Sequence, residues 1–433
     1  MSGAIAGNGA TRPLRRVVVT GIGIVSALGV GRDENWAGAV AGRSTSAPIT
    51  SFDASRLPTR FACQLPGFAP EEFIERRAAR RMDRFAQFAV AAARLALDDA
   101  GLDASRVGDR TGVYVGSGIG GLGTFVVQTE VLLERGPDRL SPLFIPMMIA
   151  NMAAAQVSMT LRLRGPLLST VSACATSNHA LGEAFDALRL GRAEVILAGG
   201  TETAINEIGL GAFNAMRALS TRNDDPATAS RPFDAGRDGF VMGEAGAVLV
   251  LEEEGHARAR GAEVYAEVLG YGLTGDAHHL TEPDPTAEAP AAAMRMALAD
   301  AGVEPTQVDY VNAHATSTPV GDPNEIRVIR KALGQEAAAR CLVSSTKSMT
   351  GHCLGAAGGV EAAFTALAIA TGVVPPTINV GDLDPECAGV DHVLGAARRA
   401  RVDLAISNAF GFGGHNAALV LGRAADLPVR GDV

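Results

Sequence analysis

Apolar residues recur along this chain in two rhythms. Runs such as RRVVVTG (15–21) are β-branched, continuous and closed by glycine, which predicts a buried strand. Residues 82–100 (MDRFAQFAVAAARLALDDA) place apolar positions at helical spacing and stop at Gly101, a C-terminal helix signal. TGVYVGSG and VDYVNAH follow such helices and read as strands. Strand and Ala-rich helix alternate through the chain, the pattern of an α/β protein. Pro/Gly-rich stretches at 222–239 and 274–290 read as loops near the middle.

The pattern is written twice. LALDDAGLDASRV (95–107) resembles MALADAGVEPTQV (296–308), and STVSAC (169–174) resembles STKSMT (345–350). AEVILAG (193–199) matches VDLAISN (402–408), and GAVLVLE (246–252) matches AALVLG (417–422). Four matches in one order imply a duplicated α/β unit, roughly 14–255 and 262–422. Residues 1–13 form a flexible arm in this scheme and 423–433 a tail. Two like units with buried strands pack back to back, and reactive groups gather where the strand ends of both halves meet.

Composition narrows the function. The 433 residues exceed one ordinary domain, and a formal net charge of −9 disfavours non-specific nucleic-acid binding. No apolar run reaching the ~18 residues of a membrane span is evident, and residues 1–13 lack a hydrophobic signal core, so a cytoplasmic protein is expected. Five cysteines, an odd number with no C-x-x-C pair, argue for free thiols in a reducing compartment.

Cys174 falls at a strand-to-helix turn. There the unpaired N–H groups and the positive end of the helix dipole favour a thiolate. Cys63, Cys341, Cys353 and Cys387 have no such setting and read as small buried hydrophobes. His314 follows the VDYVN strand, and His352 lies in the duplicate of the cysteine turn, so both are expected to face Cys174 across one cleft. A lone histidine is more often structural; two on the expected cleft face, opposite a thiol, are less easily dismissed. Lys347 and Glu361 bracket His352 and pair if both point inward. SNAFGFGGHN (407–416) is a glycine-rich turn whose N–H groups are candidate oxyanion donors. GSGIGG (116–121) formally fits G-x-G-x-x-G but lacks the acidic residue of a dinucleotide site, and no P-loop is present.

VSACATSNHA, NAHATSTPVGD, STKSMTGHCLGAAGGVEA and SNAFGFGGHN together resemble the β-ketoacyl-carrier-protein synthases of thiolase-like fold, in their elongating type II branch. The likeness runs from about Arg16 to Gly422. It implies a five-layered αβαβα architecture. It also implies a two-stage reaction in which Cys174 takes an acyl group from acyl carrier protein and condenses it with malonyl-carrier protein. His314 and His352, as neutral imidazoles, would hold the enolate; Lys347 and Glu361 would orient the site. The N–H groups of Cys174 and Phe410 would form the oxyanion hole, with Phe410 and Gly411 as a gate. Thr316 and Thr318 would bind the phosphopantetheine arm, and Ile119, Phe213 and Phe412 would line the acyl pocket. Asn312, Glu361, Ser407 and Asn408 match a monovalent-cation site of relatives. No added cofactor is implied, since phosphopantetheine arrives on the carrier, and a homodimer is implied by the family alone.

RRAARRMDR (76–84) clusters arginines in an acidic chain, at spacings that share one helical side. A solvated face is the bland explanation; with the resemblance, Arg76, Arg77 and Arg80 become a dock for an acidic carrier protein. Two departures stand out: HAT replaces the usual HGT, and GGHN, with His415, replaces GGTN. The rival functions are the same chemistry in polyketide or specialised lipid assembly, a non-catalytic chain-length partner (which would lack Cys174), and an NAD-dependent oxidoreductase using GSGIGG.

Overall fold

The computed structural model describes residues 14–104, 108–425 and 427–430; the expected arm at 1–13 lies outside them. The first copy contains β1 (Val17–Ser26), α1 (Arg84–Asp99), β2 (Thr111–Gly116), α2 (Leu122–Arg135), β3 (Leu167–Leu168), α3 (Thr176–Arg189), β4 (Val195–Glu202) and β5 (Ala245–Glu253). The second contains β6 (Ala266–Gly275), α4 (Glu288–Ala301), β7 (Tyr310–Asn312), α5 (Gly321–Leu333), β8 (Leu342–Ser344), α6 (Lys347–Thr350), α7 (Ala357–Thr371), β9 (Leu404–Gly411) and β10 (His415–Gly422).

The strand orders are twins. The first copy runs β3-β2-β4-β5-β1 and the second β8-β7-β9-β10-β6. In each, the first three strands are parallel and the last two antiparallel. Among the described residues, the two strand sets pair where Val17–Val19 meets Ala266–Val268. Helices α3 and α7 pack on each other and touch strands of both sets; α1 covers the outer side of one set, and α4 that of the other. The result is the five-layered αβαβα arrangement. Helix α7 is the central beam. It buries thirteen residues, among them Val360, Phe364, Leu367 and Ile369, and each large side chain stabilises the layer by about 1.5–3 kcal/mol.

Local chemistry departs from expectation at four places. β1 does not end at Gly21 but continues to Ser26. Gly21 and Gly23 are instead notches for α1: a Cβ there would stand 2.2 Å from the Ala96 carbonyl and 1.9 Å from that of Ala92. Gly270 and Gly272 of β6 repeat the device, at 2.2 Å from Ala297 and 2.0 Å from Ala293 of α4. Next, the duplicated turns are out of register with the sequence match. Ala173 (φ 49°) and Leu354 (φ 48°) hold the same left-handed position, so Cys174 corresponds to Gly355 rather than Thr350. The second copy carries five extra residues, and α6 with Lys347 falls within this added stretch.

The arginine cluster is not one helical side. The helix Arg76–Ala79 is a single turn capped by Glu75, and Asp83 starts α1 afresh. Arg84 turns inward to Glu244 at 2.8 Å, leaving Arg76, Arg77, Arg80 and Arg81 exposed. Finally, one helical stretch, Leu354–Thr371, is long and apolar enough to cross a membrane, contrary to the sequence expectation. Its apolar surface is spent on the two sheets. The tail is docked where described: Val429 bridges Val264, and Arg430 bonds Asp99 at 2.9 Å.

Candidate active site

Cys174 occupies a short turn, Ala173–Ala175, that feeds α3. The turn is held by Ala175 N–H on the Ser172 carbonyl (3.1 Å) and by the Ser172 hydroxyl on His179 Nδ1 (2.6 Å). Cys174 is 7% exposed, and burial pushes the thiol up to about 12. Lys347 and the Phe412 N–H, which bonds the sulfur, pull the other way without prevailing. The expected thiolate is therefore overruled: removing the sulfur from water costs more than the helix end returns.

His352 approaches from the twin turn. Its backbone is pinned by the Val241 carbonyl (2.7 Å) and the Gly243 N–H (3.0 Å), and its Nε2 lies 2.9 Å from the Cys174 sulfur. His314 follows β7, with its own N–H and that of Ala315 donated to Glu325 at 2.8 and 2.6 Å. The two imidazoles meet edge to face, 5.3 Å between centroids. The sulfur and one ring nitrogen from each histidine all lie within 4.8 Å of one another. Burial, then the Lys347 ammonium, holds both histidines well below the usual range, so both are neutral. Sulfur and two imidazoles also suit a soft metal, but the adjacent ammonium opposes a second cation there. Lys347 and Glu361, 1% and 2% exposed, form a buried ion pair with each other.

The trio lies along a cavity of about 560 Å³. Ile119, Phe213 and Phe412 line it, as do Thr316 and Thr318, whose hydroxyls are 3.2 Å apart. Phe410 and Gly411 border it too. The Phe410 ring meets His314 edge-on, 5.9 Å between centroids, and the N–H of Phe412 reaches the sulfur. Asn312 Oδ1, Ser407 Oγ, Asn408 Oδ1 and Glu361 Oε2 are all buried with no hydrogen-bond partner. Asn312 and Ser407 are register neighbours, and the Asn312 amide bonds the Glu361 carbonyl at 3.2 Å. Four orphaned oxygens, one a carboxylate's, fit a hard cation.

Two buried carboxylates escaped sequence reasoning. Glu325 orients the His314 segment. Glu202 takes the N–H groups of Gly118 and Ile119 (2.7 and 3.2 Å), so the G-x-G-x-x-G segment has no free cradle for a pyrophosphate. The available signal was an acidic residue directly ending a fully buried strand.

A neutral imidazole pair over a buried thiol, at the meeting of two duplicated α/β units, defines a thiol-dependent acyl-transfer enzyme. The N-terminal domain of beta-ketoacyl synthases matches residues 14–257, and their C-terminal domain matches 265–381. The chain belongs to the beta-ketoacyl synthase family. It is 48% identical over 413 residues to 3-oxoacyl-[acyl-carrier-protein] synthase 2 of Coxiella burnetii, covering 95% of this chain and 99% of that one. A beta-ketoacyl synthase structure from Burkholderia phymatum superposes with TM-score 0.89 at 38% identity, covering 95% and 100%. A type II PKS acyl-carrier protein in complex with its ketosynthase bound to the hexaketide gives 0.87 at 32%, with the same coverage.

Proposed function

We infer that this protein condenses an acyl group, held as a thioester on Cys174, with malonyl-carrier protein to give a 3-oxoacyl-carrier protein in fatty-acid elongation. The observation that carries this is the trio of sulfur and two neutral imidazoles within 4.8 Å along an apolar-walled cavity. In the first stage His352 accepts the thiol proton as sulfur attacks the incoming thioester, and the departing carrier thiolate takes that proton. The N–H groups of Cys174 and Phe412 hold the oxyanion. In the second stage malonyl-carrier protein loses carbon dioxide while N–H groups of His314 and His352 hold the enolate oxygen. The carbanion attacks the acyl-enzyme carbonyl and expels the Cys174 thiolate, which takes up one proton from solvent. Burial, with Lys347 adding to it, keeps both rings uncharged, so each has one N–H to donate. Thr316 and Thr318 bind the phosphopantetheine arm. A monovalent cation would be held by Asn312, Ser407, Asn408 and the Glu361 oxygen, Oε2, that Lys347 leaves unbonded.

The carrier docks on Arg76, Arg77 and Arg80, three exposed cations on an acidic protein. A second copy of this chain covers α2, whose Phe125, Val127 and Leu133 lie exposed. Five free cysteines, all buried, suit the cytoplasm. A polyketide or specialised-lipid role is the second reading, favoured by the likeness to a hexaketide-bearing ketosynthase and by His415. Incubation with acyl-carrier protein followed by mass spectrometry should show an acyl adduct on Cys174, absent from Cys174→Ala. An adduct elsewhere, or none, overturns the assignment.

A further inference from the structure

We propose that Glu202 is a positioning residue that sets acyl-chain length by fixing Ile119 as a wall of the pocket; this rests on the condensing reading above. Glu202 ends β4 with its carboxylate wholly buried. Oε1 accepts the Ser117 hydroxyl at 2.7 Å and the Ile119 N–H at 3.2 Å. Oε2 accepts the Gly118 N–H at 2.7 Å and the Gly355 N–H at 3.2 Å. Ser117 Oγ accepts in turn from Gly120 N–H at 2.9 Å. One anion thus ties the whole 117–120 loop to the second copy's twin of the nucleophile turn.

The packing leaves no slack. A Cβ on Gly118 would stand 2.8 Å from the Glu202 carboxylate, and one on Gly355 2.5 Å from the Gly118 nitrogen. Ile119 is the first residue of this loop with a large side chain. It is 41% exposed and faces the cavity that Cys174 and Phe213 also line. Its place is therefore set by the carboxylate behind it rather than by its own packing. The same charge works against the nucleophile, since Glu202 helps to push the Cys174 thiol up. An anion that opposes thiol ionisation yet holds four donors has its function in the loop.

Glu202→Gln keeps the volume but turns an amide NH₂ toward N–H donors, freeing half of the clamp. The test is competition between butyryl- and dodecanoyl-carrier protein, read as acyl-Cys174 by mass spectrometry. It is run on the unaltered protein, Glu202→Gln, Ile119→Ala and the double variant. Glu202→Gln should shift the ratio about tenfold toward the longer chain, the scale on which pocket walls discriminate methylenes. The double variant should shift no further than Ile119→Ala alone. Equal change for both chain lengths would mean that Glu202 acts on the thiol, and an additive double variant that it acts elsewhere; either result overturns the proposal. Should Glu202→Gln not fold, Ser117→Ala removes one donor and should shift the ratio in the same direction, by less; no shift overturns the proposal. Absence of any adduct in the unaltered protein would instead remove the condensing reading itself.

Discussion

Alkylation of Cys174 by iodoacetamide in the free protein should rise about tenfold with each pH unit between about pH 7 and pH 9, without levelling off. The expectation follows from burial, which pushes this thiol up to about 12 despite Lys347 and the Phe412 N–H. At about pH 8 the thiolate fraction is then roughly 10⁻⁴, against about a quarter for an ordinary exposed cysteine. A more basic thiolate is intrinsically more nucleophilic, by about thirtyfold over this interval. The net rate should be about a hundredfold below that of an exposed thiol, before the 7% accessibility of the residue lowers it further. Peptide mapping at several pH values isolates Cys174 from Cys63, Cys341, Cys353 and Cys387, all buried. A plateau below about pH 8 would mean that the helix end and Lys347 prevail over desolvation, and the proton-accepting role given to His352 would then be unnecessary.

Replacing His314 by alanine should lower condensation by about 10²–10³-fold and spare formation of acyl-Cys174, because one enolate donor is lost and the thiol contact is not. His352→Ala should slow both stages, since Nε2 is also the thiol's partner; unimpaired acylation would refute that double duty. Arg76, Arg77 and Arg80 changed together to glutamate should cut acylation from carrier protein about tenfold relative to a small thioester, with the loss greatest at low salt; an unchanged ratio places the dock elsewhere. Burial depresses His314 below its unfolded value. Its contribution to stability is therefore complete above about pH 6.5 and falls by about 1.4 kcal/mol per unit as pH drops toward the folded value. Buried Glu202, Glu325 and Glu361, all shifted upward, act in the opposite sense, so the measurement is the urea midpoint of the protein minus that of His314→Asn. A difference that does not shrink below about pH 6.5 refutes the neutral buried imidazole.

The duplication was legible because each copy keeps its buried strands as apolar runs, and those runs survive divergence. The convergence of Cys174, His314 and His352 was legible because His314 closely follows a buried strand and the other two lie in the duplicated segments that lead into α3 and α7. What stayed hidden depends on contacts between distant segments. Gly21 reads as a strand terminator because nothing local reveals that the Ala96 carbonyl of α1 needs its missing side chain. The arginine stretch looks like one helix because the caps at Glu75 and Asp83 split it only once Arg84 finds Glu244. The ionisation of Cys174 is decided by how deeply both copies enclose it, a quantity that no local spacing encodes. Glu202 and Glu325 stayed hidden because most of their partners are backbone N–H groups of distant segments, which carry no sequence signature.

The shared central layer has a bearing on assembly. Helices α3 and α7 each press on strands of both copies, so half of this chain, made alone, would leave an apolar helix face to water. What removes that face is a pair of units turned toward each other, and here the pair is joined by the short connection from Ala259 to Ala266. The tether replaces a bimolecular encounter by an intramolecular one. The reactive chamber between the units therefore forms at any dilution, and each half is free to change its own side of the chamber without having to remain its own mirror partner.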